Sequence, residues 1–310
     1  MTTNSTEADL PTGITSKAVS TSWLKNLAVL FKFRIVLLLL FAAIGGLFLA
    51  AGRWPGISTL LLLLLTGGLA ASGSGALNQY IEKDIDILMR RTSGRPLVSG
   101  SMTRTAWVPI VATLMILLPV LAVVTFNAPL AFFLLLGALI YVGIYTLWLK
   151  PRTLLNIVIG GAAGSAAVLS GSAAAGNWGD PGAVVLALLL FLWTPTHFWA
   201  LAIVYKEDYE RGGVPMLPVK VSERQSAAWM MLHTAGVVFA AIILVTLPSL
   251  GWLYLLPVLW ASAVLVSRNV RLIKKPDRAL ARSYFLFSNY YLAIILIMIV
   301  VDTLVTPLRL

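Results

Sequence analysis

Long apolar runs decide what this chain can fold into. Stretches such as "IVLLLLFAAIGGLFLA" (35–50) and "TLLLLLLTGGLAAS" (59–72) recur along it, separated by short polar segments. About 20 consecutive apolar residues make a helix that crosses a bilayer core of about 30 Å, and a helix satisfies its own backbone there. We therefore expect an all-α, polytopic membrane protein with about nine transmembrane helices in one bundle. The spans fall near 35–51, 57–80, 107–126, 129–149, 154–175, 182–205, 227–247, 250–267 and 284–305. Composition agrees, with 59% hydrophobic and 11% charged residues and a mean hydropathy of +0.91. The absence of cysteine excludes disulfides, thiolate metal sites and a cysteine nucleophile. Any metal must then take oxygen ligands or His197 and His233.

Basic residues set the expected orientation. Apart from Arg53 and Arg309, every Lys and Arg lies before the first span or in alternate loops, and such an excess marks the cytoplasmic side. The N-terminus and both long polar loops are thus predicted to be cytoplasmic. A net charge of +11 calls for no nucleic acid, because a basic rim facing anionic lipid headgroups accounts for it. Residues 1–24 hold Glu7 and Asp9 in a Ser/Thr-rich segment without an apolar run, unlike a secretory signal or an acid-poor transit peptide. We expect a disordered tail over 1–24, a single domain over 25–310, and a bacterial cytoplasmic (inner) membrane.

Half of the twelve acids stand in two clusters. Glu82, Asp84 and Asp86 follow the second span in "NQYIEKDIDILMRRTSGRPLVSG" (78–100); Glu207, Asp208 and Glu210 follow the sixth in "YKEDYERGGVPMLPV" (205–219). Four spans separate them, an even number, so both open on one membrane face, as in a parallel repeat. At about 100° per residue, Asn78, Glu82 and Asp86 share one side of a helix and Asp84 does not. Two carboxylates and an amide facing one point suit Mg²⁺, which keeps water and bridges carboxylates to a phosphate. Arg91 and Arg95 would offer forked donors to phosphate oxygens. A solvated turn held by helix ion pairs is the plain alternative.

At the second cluster Tyr205, Asp208 and Tyr209 share a face, with Lys206 alongside. His197, Leu201 and Tyr205 step by four along one stripe, which sets His197 about 12 Å deeper. An ionisable residue inside a span is a functional candidate, whereas His233, with no polar neighbour in sequence, reads as a packing residue between helices. The runs "GGLAASGSGA" and "GGAAGSAAVLSGSAAAG" lie inside spans, where small residues let helices approach closely.

The stretch 78–100 resembles the signature of the UbiA-type intramembrane prenyltransferases, on which Asn78, Glu82, Asp86, Arg91, Thr92, Arg95 and Gly100 all fall. "TPTHFWALAIVYKEDYERGGVPMLPV" (194–219) and "FKFR" (31–34) resemble the haem-farnesylating branch of that family. The resemblance implies Mg²⁺-dependent transfer of a farnesyl group from farnesyl diphosphate to a vinyl group of haem b. Haem b is then a substrate, the lipid bilayer the medium, and an enzyme of the haem A pathway a candidate partner. By the same resemblance, Asn78, Glu82, Asp86, Tyr205, Lys206, Asp208 and Tyr209 are catalytic, and Asn78, Glu82, Asp86 and Asp208 hold the metal. Lys32, Arg34, Arg91, Arg95 and Lys206 bind the diphosphate, and His197 orients the haem. Gln79 stands where many relatives place an Asp, and Tyr205 and Tyr209 stand where they place an Asp-x-x-x-Asp pair. These departures remove the usual ligands of a second Mg²⁺, a pattern that itself resembles the haem branch.

Two rival readings follow from the same residues. An aromatic quinone precursor could replace haem as the acceptor. A transporter or lipid-binding protein is the rival from another class; its ion relay is poorly supported, since Asp302, near the outer end of the last span, is the only acid expected inside one.

Overall fold

The structure, a computed structural model, describes residues 23–246 and 250–305. The expected tail lies outside the described residues as far as residue 22, while Trp23 and Leu24 already belong to a helix. That helix, α1 (Trp23–Leu30), is short, with Trp23 and Leu24 exposed and Asn26 and Leu30 buried. α2 (Phe33–Ala51) and α3 (Ile57–Ile81) follow, and α4 (Lys83–Leu88) extends past α3. Beyond an arginine-rich loop come α5 (Trp107–Val123) and α6 (Ala128–Ala138), the latter continuing as a π-helix over Leu139–Leu149. α7 (Asn156–Gly160) and α8 (Ala162–Ala174) make one span between them, and α9 (Pro181–Val204) makes the next. α10 (Lys206–Arg211) and α11 (Leu217–Lys220) sit in a polar loop before α12 (Glu223–Ile243), α13 (Trp252–Lys274) and α14 (Arg278–Val305).

Among the described residues eight helical segments are long and apolar enough to cross a membrane. α5 has 17 residues, about 26 Å at 1.5 Å each, and supplies the ninth expected crossing. Local chemistry fixes several starts. Asn127 and Asp180 accept from Leu130 N and Ala183 N ahead of α6 and α9, and Ser222 with Gln225 forms a capping box at α12. Asp302 of α14 accepts from Gly251 N at 2.6 Å and Tyr254 N at 3.0 Å, capping α13 from a distant segment. α13 runs to Lys274, past the expected 267, and α14 begins at Arg278, before the expected 284. Hydropathy loses these polar turns, although Arg271 and Lys274 suit the negative end of α13.

The surface differs from that of a soluble protein, although the core is apolar in both. Leu65, Ile110, Phe132 and Phe239 are more than half exposed, as lipid-facing side chains should be, while polar groups bond inside. The Tyr284 hydroxyl meets Thr196 at 2.5 Å and Thr234 at 2.7 Å, joining α9, α12 and α14. α2 and α8 touch through backbone. A Cβ added at Gly171 would lie 1.8 Å from Ala43 O, and one at Gly46 would lie 2.1 Å from Val168 O. The small residues of these spans are therefore packing devices, as expected.

Candidate active site

The polar cluster forms at the end of the bundle where α3 and the π-helix stop and α9 gives way to α10. Glu82 interrupts the helix, with φ −89° and ψ 3°, so Asn78, Glu82 and Asp86 do not share one continuous α-helix. Their common phase survives because Glu82 N donates to Asn78 O at 3.0 Å and Asp86 N donates to Glu82 O at 2.8 Å across the break. All three are buried, at 2–3% exposure, while Asp84 is exposed.

Burying a carboxylate is costly unless a cation and hydrogen bonds accompany it, and here each has its own. Lys150 Nζ donates to Glu82 Oε1 at 2.5 Å, and Arg95 Nη1 donates to Asp86 Oδ2 at 2.5 Å. Lys32 Nζ donates to Asn78 Oδ1 and, at 2.8 Å, to the Tyr141 hydroxyl. The Asn78 amide nitrogen donates to Thr146 Oγ1 at 2.9 Å, which fixes the amide with its oxygen toward Lys32. Tyr141 and Tyr145 stack with centroids 5.8 Å apart. Lys32 Nζ lies 5.4 Å from the centroid of the first ring, at its hydroxyl edge, and Lys150 Nζ lies 5.7 Å from the centroid of the second. Burial pushes the Glu82 carboxyl up, yet Lys150 and Lys32 together outweigh it and hold the group below its ordinary value. Burial and then the neighbouring Arg95 pull the Lys32 ammonium down to about 7.

The second cluster meets the first. Asp208, buried, accepts from the backbone N of Arg91 at 2.9 Å and pairs with Arg211. The Arg91 guanidinium stands 5.8 Å from the Tyr205 ring centroid and 5.9 Å from that of Tyr209. Burial raises the Asp208 carboxyl, but the Arg91 N–H and the Arg211 guanidinium lower it further, leaving it below its ordinary value. Thr92 Oγ1 donates to Asp86 O at 3.1 Å and so fixes the turn that carries Arg91 and Arg95. Asp208, Tyr205 and Tyr209 thus surround Arg91.

The remaining expected residues differ in burial. Arg34 is exposed at the start of α2, and Lys206 is half-buried. His197 is buried within the bundle, its ring stacked on Trp193 at 4.2 Å and on Phe285 at 4.5 Å, with Nδ1 2.7 Å from Ser288 Oγ. His233 lies against Trp199, ring centroids 5.3 Å apart. Sequence reasoning missed Lys150, Tyr141, Tyr145 and Thr146. Lys150 closes a span and reads in sequence as part of the basic rim, and a tyrosine near a span end carries no sign of its partner; the four-residue step from Tyr141 to Tyr145 ahead of a lysine is the available signal. Surface cavities of about 240 and 230 Å³ lie at the opposite helix ends, beside Asn127 and Arg53.

No group of three or more His, Asp or Glu side chains gathers among the described residues. The cluster instead offers an amide oxygen held by Lys32 and two carboxylates, with a single oxygen of each carboxylate engaged by its cation. This hard, oxygen-only donor set fits Mg²⁺ carried in with a phosphate better than a dedicated protein cage.

Comparisons with known proteins bear on what the cluster does. The profile of the UbiA prenyltransferase family matches residues 38–291. A protein of Metallosphaera sedula named protoheme IX farnesyltransferase is 42% identical over 278 residues, covering 90% of this chain and 96% of that protein. Protoheme IX farnesyltransferase 1 of Paramagnetospirillum magneticum is 42% identical over 275 residues, covering 88% and 96%. Among solved structures, a digeranylgeranylglyceryl phosphate synthase superposes with a TM-score of 0.76 at 18% identity, over 90% of this chain and 98% of that one. A UbiA homologue from Archaeoglobus fulgidus bound to GPP and Mg²⁺ superposes with a TM-score of 0.59 at 15% identity, over 89% and 99%. At those identities the structures establish the fold alone.

Proposed function

The chain belongs to the UbiA prenyltransferase family, and we propose that it transfers a farnesyl group from farnesyl diphosphate to a vinyl group of haem b. The observation that carries this reading is its likeness, over nearly the whole chain, to proteins named protoheme IX farnesyltransferase. The paired charges are suited to that chemistry, because a diphosphate arriving at the cluster meets Lys32, Lys150, Arg91 and Arg95. Mg²⁺ bound by Asn78, Glu82 and Asp86 would add charge neutralisation at the diphosphate oxygens.

The reaction breaks the bond between farnesyl C1 and the diphosphate oxygen, and the electron pair leaves with the oxygen. Cations already held in place stabilise that departing charge without reorganising. The vinyl double bond supplies the pair that joins its terminal carbon to C1. Its inner carbon, left electron-poor, takes the oxygen of a water molecule, and the water's proton is released. Asp208, Tyr205 and Tyr209 serve by holding Arg91 in place, while Lys206 and Arg34 offer further positive charge to the diphosphate.

His197 orients the haem. Ser288 Oγ donates its only hydrogen to Phe285 O at 2.7 Å, so it must accept from His197 Nδ1–H. The proton on Nδ1 leaves the lone pair on Nε2, the tautomer a haem iron requires. The site opens to the cytoplasmic side of a bacterial inner membrane, the side on which the basic loops fall.

Mass spectrometry of products after incubation with Mg²⁺, farnesyl diphosphate and either haem b or 4-hydroxybenzoate tests the reading. A haem product heavier by farnesyl plus hydroxyl is expected. A product formed only on 4-hydroxybenzoate would assign the chain to quinone precursors instead, and solute transport in liposomes without any prenyl transfer would make it a carrier.

A further inference from the structure

Lys32 is the only residue other than glycine with a positive φ among the described residues, at φ 52° and ψ 42°. A side chain in that left-handed region is disfavoured, and such conformations persist where the surroundings impose them. Three features impose this one. The chain turns sharply between α1 and α2, with Lys32 N donating to Val29 O at 3.1 Å. Gly75 makes room for the lysine stem, since a Cβ there would lie 3.3 Å from both Cγ and Cδ of Lys32. Gln79, 1% exposed, donates from Nε2 to Val29 O at 2.6 Å and to Leu30 O at 3.0 Å, the last carbonyls of α1. Its Oε1 has no hydrogen-bond partner among the described residues. A buried amide that leaves its acceptor unbonded while giving both hydrogens to one helix end is specialised for holding that end. A carboxylate at 79 would instead present oxygen to oxygen.

We propose that Gln79 is a positioning residue for prenyl transfer: by fixing the end of α1 it forces the turn that delivers Lys32 Nζ to Asn78 and Tyr141, where the donor diphosphate binds. The proposal rests on the prenyl-diphosphate reading for its ligand but not for its geometry. Gln79 stands one residue beyond Asn78, about 100° round α3 from it, bonds only to the end of α1, and works through Lys32 alone.

Two measurements on the full chain in detergent decide it. The first, without ligand, follows acylation of lysine amines by mass spectrometry. Lys32 should be protected in the native protein relative to Lys220. In Gln79→Met, which keeps length and suits an apolar setting but gives no hydrogen bond, Lys32 should react about fivefold faster while Lys220 is unchanged. An unchanged Lys32 rate overturns the proposal. Gln79→Glu, which replaces the donor by an acceptor, serves the same purpose if the methionine variant does not fold. The second is a cycle on the binding of farnesyl thiodiphosphate, an unreactive donor analogue. Gln79→Met and Lys32→Ala should each weaken binding about fivefold or more, and the double variant should be no weaker than Lys32→Ala alone. Losses that multiply in the double variant would mean that Gln79 acts on the fold generally and would overturn the coupling. If the native protein does not bind the analogue, the prenyl-diphosphate reading fails, and the role proposed for Gln79 in donor binding falls with it; the acylation rates still report whether Gln79 holds Lys32.

Discussion

Replacing Lys150 by methionine isolates the electrostatics of the cluster. The substitution keeps length and apolar contact with Tyr145 but removes the ammonium 2.5 Å from Glu82 Oε1. The Glu82 side chain is 4% exposed, so it is left as a buried carboxylate without its nearest cation. Breaking such a pair costs about 3–5 kcal/mol when nothing else compensates. Lys32 and Arg95 remain close enough to act on Glu82, so we expect about 2–3 kcal/mol, a fall in Tm of roughly 4 °C. In the native protein the folded Glu82 value lies below the unfolded value of about 4.3, so its contribution is complete above that pH and lost as pH falls through the folded value. Without Lys150 burial dominates and the folded value rises above the unfolded one. The ionised group then costs stability at neutral pH, and acidification removes that cost. The assay is thermal unfolding in Mg²⁺-free detergent at a series of pH values. Lys150→Met should become more stable from about pH 7 to pH 5 relative to the native protein, and adding Glu82→Gln should restore much of the loss. A parallel pH course in both proteins, with no recovery in the double variant, would refute the reasoning.

Asp86→Ala should reduce turnover at least tenfold, a barrier increase of about 1.4 kcal/mol or more, whereas Asp84→Ala, at an exposed position, should leave turnover within about twofold; steady-state rates against Mg²⁺ concentration compare the two. Ser288→Ala removes the acceptor that fixes the His197 tautomer, so the absorption spectrum of added haem should shift toward that of His197→Ala, with farnesyl diphosphate binding unchanged by calorimetry. Gly171→Ala forces a Cβ against Ala43 O and should cost about 2 kcal/mol or more of stability, lowering folded yield and Tm; size-exclusion recovery and thermal unfolding read the effect.

The sequence made the spans legible because a bilayer demands about 20 apolar residues whatever lies next to them. It hid their polar ends, so the final turns of α13 and the first of α14 went uncounted. The phase of Asn78, Glu82 and Asp86 was legible for a local reason: the bonds from Glu82 to Asn78 and from Asp86 to Glu82 preserve a four-residue step even though the helix breaks. Lys150 and Lys32 were not legible as partners of those oxygens. They lie 68 and 46 residues away in sequence, and a lysine at the end of a span looks the same whether it faces lipid headgroups or a buried carboxylate. The bond from Arg91 N to Asp208 likewise exists only because two loops meet in space.

The π-helix over Leu139–Leu149 has a bearing on insertions and deletions. Its bonds close over one residue more per turn than those of an α-helix, so the segment houses extra residues without moving the helix that precedes it. Deleting one lipid-facing residue, Leu147 or Trp148, with the winding of the segment kept, would swing everything beyond the deletion by up to about 100°. Lys150 would turn away from Glu82, while Ala128–Ala138 kept its contacts with α8. A single codon at this point in the chain therefore stands between a bundle that presents a lysine to its buried acid and an equally apolar bundle that does not.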